Sequence, residues 1–104
     1  MLNFVTVAQI DDIPPGKTLE VVVGSREILI AHVAGDDFYA IDNLCTHDGG
    51  LLGDSDLDGA TIECPRHGAR FDVRDGAALT LPALEPVGQY AVRVVGDAVQ
   101  VAVP

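Results

Sequence analysis

The chain has 104 residues and carries sixteen Asp and Glu residues against six Lys and Arg, a formal net charge of −10. This length suits one domain. The charge repels nucleic acids and anionic membranes, so we expect neither as a partner, and it favours docking to a basic protein surface. The sequence opens without the basic segment of a secretory signal, and no apolar run approaches the roughly 18 residues that span a bilayer. We therefore expect a cytoplasmic protein.

Two-residue alternation of apolar and polar residues, with turn signals about every eight to twelve residues, predicts an all-β sandwich or barrel. Two adjacent prolines lack amide donors and predict a loop over Asp11–Lys17. Gly24-Ser25 and Gly96-Asp97 are typical of tight hairpin turns. The predicted strands are, in chain order, Phe4–Ala8, Leu19–Val23, Glu27–Val33, Phe38–Ile41, Thr61–Glu63, Arg70–Val73, Gln89–Val95 and Ala98–Val103.

The middle of the chain interrupts this pattern. From Asp42 to Gly59 polar residues, glycines and aspartates predominate, and the segment from Gly76 to Gly88 is irregular and contains two prolines. Only two short strands are predicted between these segments. We therefore predict a single domain over residues 1–104, in which a β core carries an inserted, loop-rich lobe at about 42–86.

Both cysteines and two of the three histidines fall in this lobe. Cys45 and His47 are separated by one residue, and Cys64 and His67 by two. Each pair lies beside glycine or proline in a turn-like setting, so each loop offers one thiolate and one imidazole. Two such loops can converge on a single metal centre. His32 lies on a predicted strand away from the lobe and is interpreted as a structural or exposed residue.

Three kinds of centre use such residues. A Cys45–Cys64 disulfide would leave both histidines unexplained, and the cytoplasm is reducing. A Cys₂His₂ zinc site is legitimate, but zinc loops usually pair like with like, as C-x₂₋₄-C and H-x₃₋₅-H. The third centre is a two-iron, two-sulfide cluster with cysteines on one iron and histidines on the other.

The charge of this third centre has a direct redox consequence. Two ferric ions, two sulfides and two thiolates sum to zero, so the reduced cluster carries one negative charge. An all-cysteine cluster carries three when reduced. Adding the electron is therefore easier with two neutral imidazoles, and the reduction potential is higher.

The sequence resembles a known family at these residues. "CTH" at 45–47 and "CPRHG" at 64–68 resemble the Rieske motif, C-x-H followed by C-x₂-H. The following "GARFD", the turn "RDG" and the closing "VGDAVQV" are similar to the small Rieske [2Fe-2S] ferredoxins of bacterial aromatic-ring-hydroxylating dioxygenase systems. This resemblance implies one cluster per chain, with one iron bound by Cys45 and Cys64. It implies that the Nδ1 atoms of His47 and His67 bind the other iron.

The resemblance also implies a function. Such ferredoxins are soluble one-electron carriers that pass electrons from a flavin-containing NAD(P)H reductase to a terminal oxygenase. Catalysis would need a further iron site with two histidines, and only His32 is left over, so we expect no enzyme and no catalytic residue. The alternatives are the small Rieske-like subunit of an assimilatory NADH-dependent nitrite reductase and a zinc-bound interaction module.

Departures from the wider family predict the potential. Rieske proteins of respiratory complexes carry two further cysteines where this chain has Gly50 and Arg66, which excludes the additional disulfide that those two cysteines could form. They also place serine and tyrosine hydroxyls near the cluster, where this chain has Ala69 and Phe71. Missing hydroxyl donors should lower the potential, which we expect at roughly −150 mV.

Glycines and leucines around the motif suggest how the cluster is surrounded. Gly49, Gly50 and Gly68 are interpreted as residues that let the backbone approach the cluster closely, with ordinary turn glycines as the alternative. Four nearby residues are predicted to form an apolar rim that shields the cluster and serves docking, or alternatively a small core beneath the loops. These are Leu51, Leu52, Leu81 and Pro82.

Overall fold

The computed structural model describes residues 3–46, 49–53, 56–65, 68–81 and 85–103. Within these ranges the chain forms nine β-strands and one short 3₁₀ helix over Ile10–Asp12. The strands are β1 (Asn3–Gln9), β2 (Thr18–Val23), β3 (Arg26–Ala34), β4 (Asp37–Asp42), β5 (Thr61–Glu63), β6 (Arg70–Asp72), β7 (Gln89–Tyr90), β8 (Val92–Val95) and β9 (Ala98–Val103). The predicted all-β class is confirmed. No helix in these ranges has the length and apolar character needed to cross a membrane.

The strands form three antiparallel sheets. One has the order β1-β9-β8, the second β2-β3-β4-β7, and the third contains β5 and β6 alone. The first two sheets pack as a sandwich. The third sheet and both cysteines lie between β4 and β7 in the chain, within the range predicted for the inserted lobe.

Strand β3 separates two hydrophobic cores. Ile28 and Ile30 point into the core between the two large sheets, whereas Leu29 and Ala31 point into a second core that contains both cysteines. All four are 0% exposed. Because side chains alternate across a strand, a strand buried on both faces reads as a continuous apolar run. We call these the sandwich core and the lobe core. Their shared wall, β3 with β4, connects the lobe to the rest of the domain.

The structure differs from the predicted strands at one point. The sequence predicts a single strand over Gln89–Val95, but Ala91 interrupts it. Before this residue Tyr90 pairs with Ala40 of the four-stranded sheet, and after it Val92 pairs with Val101 of the three-stranded sheet. The single-strand prediction is wrong because this segment passes from one sheet to the other, as strands do at the corners of packed sheets.

Candidate metal centre

Two loops of the lobe present the cysteines in the same backbone frame. In the first loop, Cys45–Gly50, the Cys45 amide donates to the Gly50 carbonyl at 2.8 Å and the Gly49 amide to the Cys45 carbonyl at 2.8 Å. In the second loop, Cys64–Ala69, the Cys64 amide donates to the Ala69 carbonyl at 2.7 Å and the Gly68 amide to the Cys64 carbonyl at 3.0 Å. Each cysteine therefore opens a loop that is closed by the same pair of hydrogen bonds.

A glycine stands at the same place in each loop, four residues after the cysteine. Gly49 and Gly68 both have φ of 75°, in the left-handed region that other residues adopt only with strain. No described atom lies within 4 Å of a Cβ built at either position, so the requirement for glycine there is conformational. Gly50, which was also interpreted as a residue that lets the backbone approach the cluster, does not have a positive φ.

The cysteine side chains lie in the lobe core. Cys45 and Cys64 are both 0% exposed and are not joined by a disulfide, so the disulfide alternative is wrong. They share this core with Ile62 and Phe71, among other apolar residues. A thiolate in such surroundings needs a compensating positive charge, because burying an isolated charge is very costly. The donor set therefore suits a bound metal ion.

The two loops are anchored differently. The second loop continues at both ends into the β5–β6 ladder, where Glu63 pairs with Arg70. The Arg70 side chain bridges the Glu63 carboxylate at 3.1 Å and the Asp58 carboxylate at 3.3 Å. These carboxylates raise the pKa of Arg70 above its usual value, although partial burial acts in the opposite direction. Arg70 therefore adds a charged link to the backbone ladder beneath the second loop.

A third segment connects the two loops. The Thr46 hydroxyl of the first loop donates to the Glu85 carbonyl at 2.6 Å. On the other side, the Leu79 amide donates to the Arg70 carbonyl at 2.8 Å, and the Arg70 amide donates to the Thr80 hydroxyl at 3.0 Å. The segment that runs from Leu79 towards Glu85 is thus tied to both loops. The irregular sequence of this segment gave no sign of these ties.

The motif histidines, His47 and His67, lie outside the residues that the structure describes, as do Arg66 and Pro82. By sequence, each histidine belongs to one of the two loops. Their role as ligands stays a prediction.

Comparison with known proteins identifies the family. A family model described as the Rieske [2Fe-2S] domain matches residues 3–91. The chain belongs to the Rieske [2Fe-2S] family. It is 42% identical over 92 residues to the ferredoxin component of the naphthalene 1,2-dioxygenase/salicylate 5-hydroxylase systems of a Ralstonia species, covering 88% of each chain. It is 33% identical over 104 residues to the 3-phenylpropionate/cinnamic acid dioxygenase ferredoxin subunit of Escherichia coli, covering 99% of this chain and 96% of that one.

Solved structures agree with this assignment. The ferredoxin of carbazole 1,9a-dioxygenase from Nocardioides aromaticivorans superposes with a TM-score of 0.87 and 40% identity, covering 95% of this chain and 96% of that one. A protein described as a putative NADH-dependent nitrite reductase small subunit from Mycobacterium tuberculosis has a TM-score of 0.84, but its identity is 21%. That likeness covers 100% of this chain and 97% of that one and shows the shared fold alone.

As a Rieske ferredoxin the chain carries one [2Fe-2S] cluster. The two buried cysteines fit this group, since the thiolates of an iron–sulfur cluster are neutralised by iron. The two cysteines begin loops with matching hydrogen bonds, and their side chains lie in the same hydrophobic core, as binding to one shared centre requires. The zinc alternative has no support from these relatives.

The predicted apolar rim is only partly correct. Leu52 is 0% exposed and belongs to the lobe core, so it is not available to a partner. Leu51 and Leu81 are exposed as predicted, at 43% and 74%. The sequence analysis missed Leu44 and Leu79, which are 40% and 49% exposed, because single leucines within polar segments carry no distinctive pattern. We define the leucine rim as Leu44, Leu51, Leu79 and Leu81.

His32 was interpreted as either a structural or an exposed residue, and the structure shows that it is structural. It is 6% exposed, and its Nδ1 and Nε2 lie 2.6 Å from the Ile13 carbonyl oxygen and 2.7 Å from the Gly35 carbonyl oxygen. Its ring stacks on Phe38 with centroids 4.0 Å apart. Phe38 belongs to the sandwich core, so His32 is on the side of β3 away from the cysteines.

Proposed function

We propose that Cys45 and Cys64 bind one iron of the cluster and that His47 and His67 bind the other. The observation that carries this proposal is the matched frame of the two loops, each of which opens on a buried cysteine and holds one motif histidine by sequence. When bound, a [2Fe-2S] cluster with this ligand set exchanges one electron. The protein excludes water from the cysteine sulfurs and holds both loops by short backbone hydrogen bonds.

The function best supported is that of a carrier between two other proteins. It would receive an electron from a flavin-containing NAD(P)H reductase and deliver it to the terminal oxygenase of an aromatic-ring-hydroxylating system. Support comes from the relatives, which are ferredoxin components of dioxygenase systems. One similar structure, 37% identical to this chain, is described as a complex of reduced oxygenase and oxidized ferredoxin in carbazole 1,9a-dioxygenase.

The surface of the lobe supports transient docking. Leu44 and Leu51 flank the first loop in the chain, and the Leu79 amide is bonded to Arg70 directly after the second loop, so the leucine rim offers apolar contact near both loops. Beside the second loop is a groove of about 350 Å³. Its lining includes Asp56, Asp58, Glu63, Pro65 and Arg70. With a net charge of −10, the protein would be steered to a basic partner surface and would bind it weakly. Electron transfer should therefore slow as salt is added.

The residue inventory supports a carrier without a second active centre. The sequence has three histidines, and the one outside the motif, His32, has both ring nitrogens beside carbonyl oxygens. A mononuclear iron site of the two-histidine, one-carboxylate type needs two available imidazoles. We therefore propose a non-catalytic component that works in the cytoplasm and folds as one domain over residues 1–104, with the cluster-binding lobe at about 42–86.

Reconstitution tests this function. The purified protein should contain about two irons per chain, and it should restore substrate-dependent NADH consumption to a matched reductase and oxygenase pair. A Cys64→Ser variant should lose both properties. Stimulation of a nitrite reductase large subunit, with none of an aromatic-ring oxygenase, would instead support the small-subunit alternative. Electron transfer that is insensitive to salt would overturn the electrostatic part of the docking proposal.

A further inference from the structure

The two loops differ in how their stems are closed. The second loop has a strand on each side, β5 and β6, and their ladder joins its two ends. The first loop follows β4, but residues 51–53 on its exit side form no strand. Among the described residues, no strand pairing holds the two segments that flank the first loop together. Another interaction must join them, because unpaired flanking segments retain conformational freedom.

Asn43 supplies this link. It is 3% exposed and lies two residues before Cys45, where the first loop begins. Its side-chain Oδ1 accepts a hydrogen bond from the Gly53 amide at 3.0 Å, which joins the two ends of the segment that carries Cys45. Its Nδ2 donates to the Glu20 carboxylate of β2 at 2.6 Å, and its backbone amide donates to the Glu27 carbonyl of β3 at 3.0 Å.

We infer that Asn43 is the positioning residue of the first loop: one buried amide joins the two segments that flank the loop and attaches them to the four-stranded sheet. The inference rests on the proposed ligand set, in which this loop supplies one ligand to each iron. Because Cys45 and His47 sit on the same loop, any loosening at its base would displace both ends of the cluster. Asn43 is not among the proposed ligands and would act through the backbone that it holds.

The chemistry of the amide explains why this residue type is required. Closing the loop needs an acceptor for the Gly53 amide, and attaching it to the sheet needs a donor for the Glu20 carboxylate. One planar amide provides both. A carboxylate of the same shape would keep the acceptor but would place two negative groups where a hydrogen bond of 2.6 Å now exists. A hydrogen bond to a charged group is among the stronger ones, so its loss should be measurable.

The test is a set of three variants of the cluster-containing protein: Asn43→Asp, Glu20→Gln and the double variant. Asn43→Asp should increase hydrogen exchange at the Gly53 amide by about tenfold or more. It should release iron to a chelator faster by a similar factor, and shift the reduction potential and the paramagnetic spectrum of the reduced protein. Glu20→Gln keeps an acceptor for Asn43, but a neutral one, so Gly53 exchange should rise by less than in Asn43→Asp. In the double variant the new glutamine amide can donate to the introduced carboxylate, so the properties should return towards wild type.

The β5–β6 ladder is the internal control, because Asn43 does not contact it in the described structure. Exchange at the Val73 amide, which donates to the Ala60 carbonyl at the base of this ladder, should be unchanged in all three variants. Unchanged Gly53 exchange in Asn43→Asp would overturn the inference, as would equal loosening of Gly53 and Val73 or the absence of rescue by Glu20→Gln. If the wild-type protein held no [2Fe-2S] cluster, the ligand proposal would fail, whereas the exchange at Gly53 would still report on the loop closure by itself.

Discussion

Cys45 and Cys64 occupy equivalent positions in two loops that are related by their hydrogen bonds rather than by their sequences. Each cysteine amide donates to the carbonyl five residues later, and each cysteine carbonyl accepts from the amide of a glycine four residues later. Both side chains end in the same core at 0% exposure. The histidines stand at different places, third in the first loop and fourth in the second. The two loops therefore share one pattern of backbone hydrogen bonds but differ in the spacing between cysteine and histidine, C-x-H in the first and C-x₂-H in the second.

The frame predicts the effect of replacing its glycine. Gly68→Ala introduces no clash with a described atom, but its φ of 75° costs a non-glycine residue about 1 to 2 kcal/mol. We expect the second loop to relax away from this conformation, with a lower iron content per chain and a lower thermal unfolding midpoint. Iron analysis and thermal denaturation measure these two quantities.

Gly96→Ala is the matched control. Gly96 also has a positive φ, 59°, and space for a Cβ, but it lies in the β8–β9 turn beside Asp36, away from the cysteine loops. This variant should lose a similar amount of stability and keep its full iron content. Equal iron loss in both variants would show that Gly68 matters only through global stability.

The absence of a hydroxyl at position 71 predicts a change in potential. Phe71 is 0% exposed and shares the lobe core with both cysteines. In Phe71→Tyr, a hydroxyl that donates to a cluster sulfur or to a cysteine sulfur would stabilise the more negative reduced form. A gain of about 1 kcal/mol in that form corresponds to a rise of about 43 mV for one electron. A redox titration of the cluster measures this shift.

Phe38→Tyr makes the same change in the sandwich core, on the opposite face of the β3–β4 wall. Its potential should equal that of the wild type. A shift of the same size in both variants would show that a buried hydroxyl near the cysteines is not the cause. A wild-type midpoint well above 0 mV would contradict the predicted value near −150 mV.

Residue types and spacings predicted a metal centre in the lobe, because metal ligands are few and chemically distinctive, and the resemblance to the Rieske motif predicted which kind of centre it is. Cys45 and Cys64 could be selected as candidates without any knowledge of the fold. Strand β3 could be recognised from its apolar run. The sequence did not show, however, that Leu29 and Ala31 on its other face are buried in a second core. An apolar residue fits either face of a strand, so only the packing of the neighbouring layers decides the question.

Long-range contacts could not be predicted in the same way. The hydrogen bond between Asn43 and Glu20 joins residues 23 positions apart, and neither residue type is unusual in a polar loop or on a strand. The break at Ala91 depends on pairing with two different sheets. Ile13 lies next to two prolines in a segment predicted as loop, yet it is 0% exposed in the sandwich core. Each feature follows from tertiary contacts that leave no local pattern.

The leucine rim predicts how docking can be weakened without changing the cluster. Leu81 is 74% exposed, so replacing it by serine should cost little stability. If the rim contacts the oxygenase, Leu81→Ser should raise the apparent KM for the ferredoxin by about threefold to tenfold. Fully covering a leucine is worth about 1.5 to 3 kcal/mol, and a transient partner would cover only part of this side chain. The reduction potential should not change. Steady-state assays with varied ferredoxin concentration measure the KM.

The control for this variant is Val95→Ser. Val95 is 53% exposed and precedes the β8–β9 turn, at the end of the sandwich where Gly96 lies beside Asp36. It should leave the KM unchanged. If both substitutions raised the KM equally, the effect would not belong to a surface at the cysteine loops.

His32 predicts a loss of stability that is separate from redox function. His32→Phe preserves a flat ring against Phe38 but removes polar contacts to the Ile13 and Gly35 carbonyl oxygens, one of them buried and one partly buried. Leaving buried acceptors unsatisfied costs about 1 to 3 kcal/mol each, so we expect a loss of about 2 kcal/mol and a thermal midpoint lower by about 10 °C. Because the sandwich core and the lobe core lie on opposite faces of β3, the reduction potential and iron content should stay at wild-type values at 25 °C.

Thermal denaturation followed by circular dichroism, together with a redox titration, checks both expectations. A shifted potential with an unchanged midpoint would show that His32 acts on the cluster rather than on the fold.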